Sequence, residues 1–156
     1  MKVFPYFATP NTEVQTVGES VELAAAPDAV WSLIGQFNLI WHPAVARARL
    51  VGEGVGQLRR LETRDGREII ERLAEVDNMN RSYRYTLVSG VPASRYAGVI
   101  EVKSNANGSV AEWRVEFLAN SQPNIAVRIM VSKLIETGLG SLKARFGVPL
   151  ADARRA

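Results

Sequence analysis

The sequence predicts an α+β fold in which a curved antiparallel sheet of seven strands wraps around one long C-terminal helix. Three observations carry that expectation. From Val45 to Leu118 the apolar residues recur with a period near two, interrupted at short intervals by turn chemistry. The one long stretch with helical period, about Pro123 to Phe146, comes last. The links between strands are short, which joins neighbours antiparallel, because a parallel crossover needs a dozen residues or more.

Each element follows in order. A first strand, roughly Glu13 to Leu23, carries Val14, Val17, Val21 and Leu23. Pro27 then suits the first position of a helix. Asp28 in its first turn favours the positive end of the helix dipole. Val30, Trp31, Leu33 and Ile34 supply an apolar stripe that ends at Gly35. A second short helix is expected near Phe37 to Ile40. Six further strands are placed at about 44–51, 56–64, 67–76, 81–89, 95–104 and 109–118. They are separated by Gly52-Glu53-Gly54-Val55-Gly56, Asp65-Gly66, Asp77-Asn78, Gly90-Val91-Pro92 and Asn105-Ala106-Asn107-Gly108, all turn formers.

In the last helix Val127, Met130, Val131, Leu134, Ile135 and Leu142 fall on one side at about 100° per residue. Arg128, Ser132, Lys133, Glu136 and Lys143 fall on the other. Gly138 lies in the middle of the apolar side, with Gly140 two residues on. Glycine inside a helix costs roughly 1 kcal/mol relative to alanine, so Gly138 is expected to leave room for something else.

At 156 residues the chain is the size of a single domain, with its core expected over about 13–148. It has no cysteine, which excludes disulfides and thiolate chemistry. Met1 to Pro10 lacks a signal-peptide core, and no run approaches the roughly 20 apolar residues of a membrane span. A cytoplasmic protein without stable membrane insertion is the expectation. The net charge of +3 comes from scattered residues. Arg59, Arg60, Arg64, Arg67 and Arg72 alternate with Glu62, Asp65, Glu68 and Glu71, as cross-strand pairing on a solvated sheet face would produce. No nucleic-acid partner is expected, and the basic tail residues Arg154 and Arg155 do not alter that.

Familiar catalytic patterns are missing. The Gly52 to Gly56 loop runs on into strand rather than into a helix, so it does not build a phosphate cradle. His42 is the only histidine and has no acidic or histidine partner at ligand spacing, so neither a metal nor another cofactor is expected. No serine sits in a G-x-S-x-G elbow.

Alternation gives a more useful set. Ile69, Glu71 and Leu73 share one face of their strand, and Ile70, Arg72 and Ala74 share the other; the pattern alone leaves both parities open. If the first face is inward, Glu71 is a buried acid that must be paired, hydrated or protonated. Tyr83, Tyr85 and Leu87 share a face of the next strand, as do Tyr96, Gly98 and Ile100, and then Trp113, Val115 and Phe117. These residues read either as a plain aromatic core or as the walls of a small-molecule pocket with a few converging polar groups. Gly98 would leave room beside Gly138. Trp41-His42-Pro43 is placed to rim such a pocket, with His42 either a packing residue or a general acid/base.

These pieces together resemble the START-like helix-grip superfamily (SRPBCC), and most of all its bacterial polyketide cyclase/dehydratase-type branch, with a more distant similarity to plant abscisic-acid receptors. The resemblance covers about residues 17–147. It rests on Ala26-Pro27-Asp28-Ala29-Val30-Trp31, Trp41-His42-Pro43, Val55-Gly56 followed by Arg59, Glu71-Arg72-Leu73 with Asp77, Tyr83-Arg84-Tyr85, and Arg95-Tyr96-Ala97-Gly98. It implies a hydrophobic cavity between sheet and helix, with Glu71 and Tyr96 facing inward. It also implies entrance loops at Asp65-Gly66-Arg67 and at Gly90-Val91-Pro92-Ala93-Ser94. The chain departs from the receptors in lacking their proline-bearing first loop and a lysine near residues 44–48, so hormone-type gating is not implied.

The expected activity is binding of a hydrophobic small molecule, lipid-like or aromatic, by a monomer or homodimer. Ile69, Tyr83, Trp113 and Phe117 would form the sheet wall, Met130, Leu134 and Gly138 the helix wall, and Trp41 and His42 the rim. Glu71, Tyr85 and Tyr96 would fix the ligand's polar end, with Gly98 enlarging the space. Two alternatives stand beside it. One is a metal-free cyclase or dehydratase with His42 and Glu71 as acid/base groups and Tyr96 polarising a carbonyl. The other is an interaction module with a filled core.

Overall fold

The computed structural model describes residues 13–119 and 124–147. The Met1 to Pro10 segment, Pro123, residue 148 at the expected end of the core, and the Arg154-Arg155 tail lie outside them. The element order is β1 (Gln15–Leu23), α1 (Pro27–Ile34), β2 (Val45–Val51), β3 (Leu58–Thr63), β4 (Glu68–Asp77), β5 (Ser82–Ser89), β6 (Ala93–Asn105), β7 (Gly108–Ala119) and α2 (Asn124–Phe146). One seven-stranded antiparallel sheet has the order β1-β7-β6-β5-β4-β3-β2, so β2 to β7 form a meander and β1 closes against its last strand. This is the predicted α+β helix-grip architecture.

The turn residues set the meander. Asp65-Gly66 joins β3 to β4 with Gly66 at φ 88°, a left-handed conformation that favours glycine. The Gly66 and Arg67 amides are held by the Thr63 carbonyl and the Thr63 hydroxyl. Pro27 opens α1, whose Val30 and Ile34 are buried, and Asp28 in its first turn accepts a 2.7 Å hydrogen bond from Arg81 Nε. The second short helix expected near Phe37 to Ile40 does not form. Those residues are turns, because Leu39 takes φ 56° and the Asn38 side chain accepts from the Ile40 amide at 3.1 Å, diverting the backbone from helical bonding.

Helix α2 lies on the concave face. Val127, Val131, Ile135, Leu139 and Leu142 are buried against the sheet, and each such burial is worth about 1.5–3 kcal/mol. Met130 and Leu134, expected on that same core face, are only half-buried along its edge. The helix is tied near one end to β1 and at the other to the residue that follows that strand. Arg128 Nη1 donates to the Thr16 carbonyl at 3.1 Å, and the Ala24 amide donates to the Phe146 carbonyl at 2.7 Å. The helix therefore crosses the sheet at a fixed position, and what remains open beside it is a consequence of that position.

Candidate functional site

Strand parity places the polar groups. In β4, Ile69, Glu71 and Leu73 point inward, Glu71 being 4% exposed. In β3 the inward set is Arg59, Leu61 and Thr63. Arg59 stands directly opposite Glu71 in the β3/β4 register, and its Nε donates to Glu71 Oε1 at 3.1 Å. Arg59 Nη1 donates to the Tyr83 hydroxyl at 3.1 Å. The guanidinium also lies 4.2 Å from the centroid of Phe37 and 4.5 Å from that of Tyr85, within cation–π range. Arg59 was expected on the solvated face; it is fully buried instead, because the inward parity of β3 is the one that carries Leu61 and Thr63.

Burial pushes the Glu71 carboxyl up from its ordinary range, while the adjacent Arg59 cation pulls it down. Burial likewise raises Tyr83, Tyr85 and Tyr96, which keeps all three as neutral hydroxyls. Trp113 Nε1 donates to the Tyr85 hydroxyl at 2.9 Å. Tyr85 faces Gly98 across the β5/β6 pairing, and a Cβ on residue 98 would lie 2.1 Å from the tyrosine ring. The room left by Gly98 is filled by Tyr85.

The same holds for Gly138. A Cβ there would meet Trp113 Cζ3 at 2.7 Å and His42 Cδ2 at 2.8 Å. These two rings occupy the space, packed edge-to-face with centroids 6.0 Å apart. His42 Nε2 then reaches the Leu134 carbonyl at 2.8 Å, and its Nδ1 accepts from the Ala44 amide at 3.0 Å. Together these two bonds select the neutral ring with the proton on Nε2. Burial lowers the His42 pKa further than the Leu134 carbonyl raises it, and Arg59 adds to the lowering.

With these groups packed, the space directly under the helix is small. A void of about 20 Å³ is bordered by Glu71, Tyr85, Trp113, Tyr96, Thr63 and Leu134 among others. An opening larger than this void lies at one end of the sheet, between α2 and three loops, and has a volume of about 380 Å³. Ile69, Val91, Met130, Val131 and Leu134 give it apolar walls; Tyr96, His42 and Thr137 border it, and Asp65, Arg67 and Lys133 are the charged residues on it. Tyr96, Ile69, Val91, Ala44 and Leu134 border both spaces, so the void is the inner end of the cleft.

The expected site residues therefore divide. His42, Ile69, Tyr96, Met130 and Leu134 meet at the cleft. Glu71, Tyr85 and Trp113 border only the inner void. Trp41 packs on Trp113 at 5.9 Å between centroids, and Phe117 is fully buried in the core. Tyr83 borders a separate groove with Phe37, Leu50 and Val76. Val91, Lys133 and Thr137 were not singled out by the pattern. Val91 falls in an entrance loop implied by the resemblance, whereas Lys133 and Thr137 are reached only once the helix is rotated onto the sheet. Among the described residues no cluster of three or more histidine, cysteine or acidic side chains could hold a metal, and no helix is long and apolar enough to cross a membrane.

Among curated proteins nothing matches this sequence significantly. Solved structures do. XoxI from Bacillus cereus is 28% identical, aligned over 85% of this chain and 94% of its own at a TM-score of 0.76. A protein from Thermobifida fusca is 29% identical over 85% of this chain and 93% of its own, at 0.74. Ara h 8.0201 shares the fold at 14% identity, covering 85% and 97% of the two chains at a TM-score of 0.70. Residues 14–147 match the family described as polyketide cyclase / dehydrase and lipid transport. The chain belongs to that family, within the START-like helix-grip fold.

Proposed function

We propose that the protein binds a hydrophobic small molecule, lipid-like or aromatic, in the cleft between α2 and the loops at 43–44, 65–67 and 91. The observation that carries this reading is the cleft itself, whose volume of about 380 Å³ and largely apolar lining fit a small-molecule site. Binding is favoured over acid–base catalysis because the candidate acid and base are occupied: His42 uses both ring nitrogens, and Glu71 is held by Arg59 behind the cleft wall. The small inner void favours a second reading, an interaction module with a filled core.

A displacement titration separates the two. A naphthalene dye whose emission rises in apolar surroundings is bound to the protein and displaced with dodecanol. The cleft reading expects saturable displacement that weakens about tenfold or more, ~1.4 kcal/mol, in Leu134→Trp. Equal displacement from that variant, or no dye binding at all, supports the filled module instead.

A further inference from the structure

Charge accounting on the cleft points to the chemistry of its occupant. Most deep polar groups already have partners: Glu71 and Tyr83 hold Arg59, Tyr85 accepts from Trp113, and His42 is bonded at both nitrogens. Arg59 Nη2 and Trp41 Nε1 are buried without a partner among the described residues, but neither residue borders the cleft or the inner void. None of these gives a ligand a free charge to meet at the inner end. The charged residues that border the opening are Asp65, Arg67 and Lys133. Asp65 takes the Thr63 hydroxyl and faces Arg67 Nε at 3.3 Å, which holds its carboxyl below the usual range. Arg67 also reaches across to Met130 Sδ at 3.5 Å, so its guanidinium stands over the opening. Lys133 makes no ion pair among the described residues. The mouth thus carries one uncompensated positive charge above walls formed by Ile69, Val91 and Leu134.

We propose that the occupant is an amphipathic anion, with its alkyl or aryl body directed inward and its acidic head outward at Lys133 and Arg67. This rests on the cleft reading and sets an orientation opposite to one in which Glu71, Tyr85 and Tyr96 fix the polar end. An exposed ion pair is worth up to about 1 kcal/mol, or about fivefold in affinity, and is screened by salt.

Three probes of equal chain length test it: dodecanoate, dodecanol and dodecylammonium, each titrated at low and high salt into the intact protein, Lys133→Gln and Lys133→Glu. The expected result is dodecanoate about fivefold tighter than dodecanol, with dodecylammonium weakest, and the gap closing at high salt and in both variants. Dodecanol as tight as dodecanoate, or dodecylammonium tightest, overturns the anionic assignment while leaving the cleft as a hydrophobic site. Failure of all three to bind overturns the cleft reading and this inference with it. The salt series on the unaltered protein gives the answer even where a variant does not fold.

Discussion

His42 reaches the Leu134 carbonyl because residue 138 has no side chain: a Cβ on Gly138 would stand 2.8 Å from His42 Cδ2 and 3.2 Å from Nε2. The glycine is a landing place for a ring that bolts the loop before β2 to the long helix. Gly138→Ala gains up to about 1 kcal/mol of helix propensity but presses a methyl into two rigid rings, a class of overpacking that costs about 1–3 kcal/mol. Urea unfolding should show a net loss of about 1–2 kcal/mol. Gly140→Ala is the control. Nothing lies within 4 Å of a Cβ there, so it should stabilise by about 0.5–1 kcal/mol.

The same histidine makes stability depend on pH. Its ordinary pKa is 6.5, and the fold lowers it. Below about pH 6.5 the unfolded chain takes up a proton that the folded chain resists, so the unfolded state binds more protons and stability falls as the solution is acidified. Above that pH the group contributes no slope. His42→Gln can still donate to Leu134 but does not titrate. As the pH is lowered from 7 to 5, denaturation midpoints should fall for the parent protein and stay flatter for the variant, which costs about 1 kcal/mol overall.

Arg59 and Glu71 act as a buried pair. Removing one partner leaves an uncompensated interior charge, which typically costs about 3–5 kcal/mol, whereas replacing both with apolar residues costs far less. Glu71→Gln should therefore destabilise strongly. The double variant Arg59→Met/Glu71→Leu should be more stable than the sum of its single substitutions predicts, by about 2 kcal/mol or more. Chemical unfolding of the four proteins in one cycle measures that difference.

Gly98→Ala tests the aromatic wall. Its methyl would lie 2.1 Å from the Tyr85 ring, which cannot yield without giving up the bond from Trp113 Nε1. A destabilisation of about 1–3 kcal/mol is expected, together with a shift in the indole N–H resonance of Trp113.

The sheet was legible because its turns are written in residues of narrow conformational use, such as Asp65-Gly66, and because alternation within each of β4 to β7 sets one inward face: Ile69 and Leu73, then Tyr83 and Tyr85, then Tyr96 and Ile100, then Trp113 and Phe117. Asn38 and Leu39 were harder to read. An Asn side chain that bonds two residues ahead and a leucine at positive φ end what composition alone would continue as helix. Arg59 was misplaced because arginine is taken as a surface residue, although its neighbours Leu61 and Thr63 two and four positions on share its face. The inward set Arg59, Leu61 and Thr63 was the available signal. Gly98 and Gly138 were expected to open space for a ligand, but the rings of Tyr85, Trp113 and His42 fill it, and neither glycine borders the cleft. The cleft drew least from pattern, since Arg67, Val91 and Lys133 meet only after the helix has docked.

Binding in the cleft is the central claim, and a methyl-resolved NMR titration with dodecanoate tests it most directly. The account predicts saturable shifts at the methyls of Ile69, Val91, Met130 and Leu134, with Val115 in the buried sheet unchanged. Shifts confined to Leu50 and Val76 at the separate groove, or no saturable shift at any of the four cleft methyls, would contradict it.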